Sequence, residues 1–169
     1  GGEIHTALKA GFPAERMHFH GNNKTPDEIA FAIDNGIGYF VLDNLVEIEL
    51  VNQIAGEKGK TVNALLRITP GVEAHTHDYI QTGQQDSKFG FDLTSGQAWD
   101  ALNRVLNKAH IRLLGLHCHI GSQIFDVNGF VIAVEKVAQF YEKAAKERQL
   151  ELKVMNLGGG FGIRYHEED

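Results

Sequence analysis

The sequence lacks most of what would place it outside ordinary globular chemistry. Its 169 residues include one cysteine, Cys118, so no internal disulfide can form and the cytoplasm is the default compartment. Only three prolines occur, and no low-complexity tract suggests disorder. No run approaches the roughly 18 apolar residues that a membrane span needs, and nothing resembles a signal peptide. Positive charge is scarce as well: 16 Lys and Arg face 22 Asp and Glu, a formal net charge of −6. That balance argues against nucleic acid or an anionic membrane as partner. An initiator methionine is also missing. The chain opens at Gly1-Gly2-Glu3 and closes on Tyr165-His166-Glu167-Glu168-Asp169, and both ends are expected to be cuts through a longer protein.

What remains is one domain with a sizeable core, 43% hydrophobic by composition. Glycine is in excess, at 19 residues against a usual share of about 7%. Several glycines stand beside polar residues at the ends of apolar runs, where backbone can approach a ligand.

Apolar runs and helical stripes alternate along the chain. Strands are expected over residues 17–20, 39–42, 64–68, 111–119 and 153–157. Between the first two, Thr25-Pro26-Asp27-Glu28 has the form of a capping box with proline at the first helical position. Ile29, Ala32 and Ile33 then share a face. Asp43-Asn44 precedes a helix bearing Leu45, Ile48, Val51 and Ala55. Thr94, with Gln97 three residues on, is expected to cap a helix carrying Ala98, Ala101, Leu102, Val105 and Leu106. A long helix over about 128–148 is expected to carry Val131, Val134, Val137 and Tyr141. A polar loop is expected from about residue 73 to 88.

Strand–helix alternation implies right-handed βαβ units and a parallel sheet. Polar or glycine-rich clusters follow almost every strand: His20 to Lys24, Asp43-Asn44, Arg67, His117 to Gln123, and Gly158 to Gly162. In a barrel these C-terminal ends converge on one mouth, whereas an open sheet needs them only at its switch point. The fold class is therefore α/β, a parallel TIM-type (β/α) barrel, incomplete at about five of eight strands.

Gly158-Gly159-Gly160-Phe161-Gly162 is the strongest local signal. Four glycines directly after a strand leave N–H groups able to wrap an anion. A plain tight turn is the bland alternative. His117 and His119 lie two apart on a strand and so share a face. They suit a cofactor-packing imidazole, with Ser122 donating to a phosphate, a zinc site of a metal-dependent hydrolase, or a satisfied core histidine. Arg67 sits on an apolar strand, where an unpaired cation is costly, so a buried carboxylate or an anionic ligand is expected beside it. Lys88 reads most simply as a surface lysine.

Together these segments resemble the fold-type III pyridoxal-phosphate decarboxylases, and within them the diaminopimelate decarboxylases. The resemblance rests on Gly1-Gly2-Glu3, His20-Gly21-Asn22-Asn23-Lys24, Leu66-Arg67-Ile68 and Asp86-Ser87-Lys88-Phe89-Gly90. Gly115-Leu116-His117-Cys118-His119-Ile120-Gly121-Ser122-Gln123 and Asn156-Leu157-Gly158-Gly159-Gly160-Phe161-Gly162 complete it. His117 to Gln123 and Thr76-His77-Asp78-Tyr79-Ile80-Gln81-Thr82-Gly83 are its most specific parts.

The resemblance implies an eight-stranded barrel followed by a β domain, working as a homodimer on a small amino-acid substrate. The present strands would be its third to seventh, with residues 1–169 forming the pyridoxal-phosphate-binding part and the β domain absent. It further implies that His119 stacks on the pyridine ring and Ser122 binds the phosphate. Gly158, Gly159 and Gly160 would cradle that phosphate. Glu3 and Arg67 would pair beneath the cofactor, and a loop with His75, His77 and Tyr79 would cover the substrate. The family's cofactor-anchoring lysine falls before Gly1 and its Glu-Pro-Gly-Arg segment after Asp169. The chain alone is thus expected to be inactive. Decarboxylases of ornithine, arginine or carboxynorspermidine, and a hydrolase using His117 and His119, are the alternatives.

Overall fold

A computed structural model describes residues 1–72 and 89–164. Helix α1 (Gly2–Lys9) precedes β1 (His18–Phe19), α2 (Pro26–Asp34), β2 (Tyr39–Leu42), α3 (Leu45–Glu57) and β3 (Val62–Thr69). Then come β4 (Phe91–Asp92), α4 (Gln97–Leu106), β5 (Ile111–Cys118), α5 (Asn128–Arg148) and β6 (Val154–Asn156).

All pairings are parallel, in the order β1-β2-β3-β5-β6, with β4 attached beside the end of β3. Each main strand lies beside its predecessor, so the order never reverses. A doubly wound sheet needs such a reversal; a barrel does not. Curvature points the same way. Asn156 on the last strand brings its Nδ2 to 3.5 Å from Nδ1 of His18 on the first, so the sheet curls until its edge strands face each other. The described residues form a half-barrel.

The local reasons are mostly those legible in the sequence. Thr25 and Glu28 form the reciprocal capping box, with Pro26 at the first turn. Asn44 caps α3 by accepting from the Glu47 N–H at 2.9 Å. Phe40, Leu42, Ala64, Leu66, Ile68, Leu116 and Cys118 pack outward in the main core, and Ile29, Ile48, Val51, Leu102 and Val137 meet them from the helices. Val41 and Leu65 alternate with these residues and are equally buried, as strands covered on both faces require.

Several expectations change. Thr94 is not the cap of α4: its hydroxyl donates to Asp92 at 2.8 Å, and Gly96, at φ 89°, takes the N-cap position. The same carboxylate accepts the Ser95 N–H, so the turn organises around Asp92. The buried face of α5 runs through Phe130, Ala133, Val137, Phe140 and Ala144, leaving Val131 half exposed. The larger phenyl groups set that face. Leu45 and Leu106, equally exposed, likewise point outward from α3 and α4, and β4 was not foreseen.

Tyr141 serves a different end. Strand β5 carries a register shift against β3, where Ala64 pairs with Leu113 but Leu65 with Gly115. At this irregularity the Tyr141 hydroxyl accepts the Leu116 N–H at 3.0 Å and donates to the Val154 carbonyl. A helix side chain thus supplies a rung between β5 and β6. Tyr141→Phe leaves both backbone groups without it and should destabilise the protein by roughly 1–3 kcal/mol, measured by urea denaturation.

Candidate functional site

The site follows from register. Leu42 pairs with Leu66, which places Asp43 level with Arg67. Arg67 pairs with His117, and His117 with Asn156. Partners in a parallel ladder point to the same face, so these four polar side chains share one rung on the inner surface. Two residues earlier, Leu65 pairs with Val41 and Gly115, and Gly115 with Val154. The interior is apolar there and polar only at the strand ends.

A cavity of about 440 Å³ opens above this rung, lined by His20, Arg67, His117, His119, Asn156, Gly158 and Gly159. A larger one, about 700 Å³, runs between α1 and the segment around β1. Its walls include Ile4, Ala7, Phe12, Met17 and Phe19. The smaller cavity holds the imidazoles, the guanidinium and the glycines together, and is the chemical candidate.

Arg67 pairs with the buried carboxylate of Asp43 at 3.4 Å and packs over the Phe89 ring at 4.6 Å. The implied Glu3–Arg67 pair is not formed. Glu3 is an exposed residue of α1 on the larger cavity, and Asp43 reaches the guanidinium first because the two share a rung. His75, His77, Tyr79 and Lys88 lie outside the described residues.

His117 is 4% exposed. Its ring meets that of His20 edge-on at 4.7 Å between centroids. Burial, then the neighbouring His20, pulls its pKa down to about 4, so it is a neutral imidazole at pH 7. Its Nδ1 is buried without a hydrogen-bond partner among the described residues, a group that a ligand atom could satisfy. His20 is pulled down for the same reasons, burial first and then His18, Arg67, Lys24 and His119. Its exposed side lets water offset part of the effect. His119 follows the end of β5 and is exposed to the cavity. Among the described residues, no three His, Cys, Asp or Glu are grouped to hold a metal ion.

The loops after β5 and β6 are joined. Ile124 N–H donates to Gly160 at 2.9 Å and Gly162 N–H to Ile124 at 2.8 Å. The Gln123 amide donates to the Ile163 carbonyl and accepts its N–H, both at 3.1 Å. A Cβ on Gly160 would lie 1.9 Å from the Gly121 carbonyl oxygen, and one on Gly158 2.7 Å from that of Cys118. Both glycines have positive φ, and the His119 ring rests against both positions. Their absent side chains make room for this junction. Gly158 N–H already donates to Asn156 Oδ1 at 2.8 Å, so among the described residues the candidate anion donors are Gly159 and Gly160. Ser122 lies exposed on the facing bend.

The sequence reading missed Asp43 as the guanidinium's partner, Asn156 as a ligand of the glycine loop, and Gln123 as a clasp. The first two were marked by a polar residue two positions beyond an inward apolar one: Val41 and Asp43, Val154 and Asn156. Gln123 carried no comparable signal.

Fold and site define a (β/α)-barrel protein with imidazoles, a guanidinium and a glycine-rich junction gathered at its C-terminal strand ends. The match to known proteins is more specific: residues 1–169 fit the pyridoxal-dependent decarboxylase, pyridoxal binding domain family, to which the chain belongs. It is 58% identical over 169 residues to diaminopimelate decarboxylase of Bacillus subtilis, covering all of this chain and 38% of that protein. A crystal structure of the M. jannaschii diaminopimelate decarboxylase superposes with a TM-score of 0.90 at 39% identity, over all of this chain and 39% of that one. The Helicobacter pylori enzyme complexed with L-lysine gives 0.84 at 33% identity, over 99% and 42%. The chain therefore spans about two fifths of the relatives it matches.

Two measurements check the site. The folded protein resists protonation of His117 whereas the unfolded chain accepts it at about 6.5, so stability is full above pH 6.5 and falls as the pH drops towards 4. The loss should reach about 3 kcal/mol, and His117→Asn should flatten that part of the profile. Gly159 is open, with nothing within 4 Å of an added Cβ, so Gly159→Ala should cost under about 0.5 kcal/mol. Gly160→Ala should instead lower the melting temperature clearly, with no ligand present.

Proposed function

We propose that the protein carrying this chain is a pyridoxal-phosphate-dependent decarboxylase that converts meso-diaminopimelate to lysine and carbon dioxide. The observation that carries the reading is the joined pair of loops, which brings His119, Gly158 and Gly159 to one cavity with Arg67 and His117, while Gly160 and Ser122 lie on the adjoining bends. Identity to diaminopimelate decarboxylases along the whole chain supports the substrate.

The residues suit the cofactor. Gly159 and Gly160 N–H groups and the Ser122 hydroxyl hold the phosphate, with Gly158 shaping the loop. His119 stacks its imidazole on the pyridine ring. Arg67, paired with Asp43, and neutral His117, with its Nδ1 unpartnered among the described residues, would line the cavity beside the cofactor. When bound, pyridoxal phosphate provides an electron sink for the pair left as carbon dioxide departs. Residues 1–169 are the cofactor-binding part of the barrel, and His75, His77 and Tyr79 belong to the loop that contacts substrate. The β domain of the family fold lies outside them. The working form is a cytoplasmic homodimer.

The test is turnover by the full-length protein. Lysine and carbon dioxide should form from meso-diaminopimelate, and ornithine, arginine and carboxynorspermidine should be poor substrates. His119→Ala should lose cofactor on dialysis and slow turnover at least tenfold, whereas His119→Phe should retain more cofactor because a flat ring remains. Residues 1–169 alone should show no turnover above that of free cofactor. Preference for ornithine, or equal cofactor retention in parent and His119→Ala, would overturn the reading.

A further inference from the structure

Behind the smaller cavity lies a buried ion pair that is not part of its lining, although Lys24 borders the larger cavity beside α1. Lys24 and Glu47 are 7% and 4% exposed. The Lys24 ammonium donates to the carbonyls of Gly21 and Val41, each at 2.7 Å, and to Glu47 Oε1. Glu47 Oε2 accepts the Asp43 N–H at 3.1 Å, and Asp43 in turn holds Arg67. Bonds therefore run unbroken from the loop after β1, through the start of α3, to the guanidinium on β3.

An ammonium has three N–H donors, and here all three are taken, so Lys24 has nothing to offer a substrate or cofactor. Burial draws its pKa down and that of Glu47 up, while their mutual attraction and the two carbonyls oppose neutralisation. Stability alone explains such a pair poorly, since apolar residues of similar volume often serve a core as well. Its connections explain it better. Gly21 follows His20, and Asp43 restrains Arg67; His20 and Arg67 both line the cavity.

We infer that Lys24 and Glu47 are positioning residues, which fix His20 and Arg67 on the cavity wall and so set the affinity for a phosphorylated pyridine ligand. The inference rests on the cofactor reading above and adds to it a support reaching in from behind the wall.

The experiment uses the full-length protein and pyridoxamine 5'-phosphate, which has an amine in place of the aldehyde and so reports non-covalent binding. Lys24→Met combined with Glu47→Met removes both charges at similar volume. Its Tm should fall, since the Gly21 and Val41 carbonyls and the Asp43 N–H lose these partners. Measured where both proteins are folded, Kd should rise roughly 10- to 100-fold, the range seen when outer supports of a bound metal are removed. Lys24→Arg keeps the charge, but a planar guanidinium cannot serve three convergent acceptors. In this variant the His20 imidazole, which faces His18, Lys24, Arg67, His117 and His119, should titrate nearer to 6.5 by NMR as its loop loosens. The titration of His117 should move less, because its own burial is the larger cause of its shift and His20 the smaller. A double variant that binds like the parent, or an unmoved His20 titration in Lys24→Arg, overturns the inference. His119→Ala is the separate control. If it binds the probe as the parent does, the cofactor reading fails, and the His20 titration still decides the positioning role.

Discussion

The register of a parallel sheet is the constraint on which the rest depends. Once Leu42 is level with Leu66 and Leu66 with Leu116, the next inward position on each strand is fixed. Asp43, Arg67, His117 and Asn156 then meet on one rung with no further instruction. A slip of one residue on any strand would turn its member of the set into the packed outer face. The outer core prevents this, because Phe40, Leu42, Leu66 and Leu116 are too large and apolar to face the cavity. Packing against the helices therefore specifies the site as firmly as it specifies the fold.

Charge on this rung is arranged with economy. One cation, Arg67, is matched by one buried carboxylate, and the remaining imidazole and amide are neutral at pH 7. His117 stays uncharged through burial, so the strand ends carry donors and acceptors without accumulating positive charge. Low exposure would make excess charge expensive, and it makes each fixed dipole more effective.

Much of this was legible in the sequence. The strand–helix alternation gave the parallel sheet, and polar strand ends gave the barrel mouth. Thr25 with Glu28, and Asn44, behaved as their local chemistry predicts, because each cap needs only its own turn. Thr94 did not, since the Asp92 carboxylate on β4 accepts from its hydroxyl and from the Ser95 N–H. The face of α5 was misread because valines and phenylalanines offered two overlapping stripes, and only the sheet decides between them. The Glu3–Arg67 pairing came from resemblance, and register supplied Asp43 in its place. Long-range pairing is what a single sequence states least directly.

Gln123 shows what such pairing can do with one side chain. Its amide donates and accepts as a peptide unit would, extending the sheet by one rung beyond the point where backbone alone could continue. The loops after β5 and β6 thereby become one mechanical part. Transplanting either segment alone into another barrel would carry over half of a joint. A functional graft of this mouth has to move residues 117–124 and 156–163 as a unit, with the spacing of their two strands.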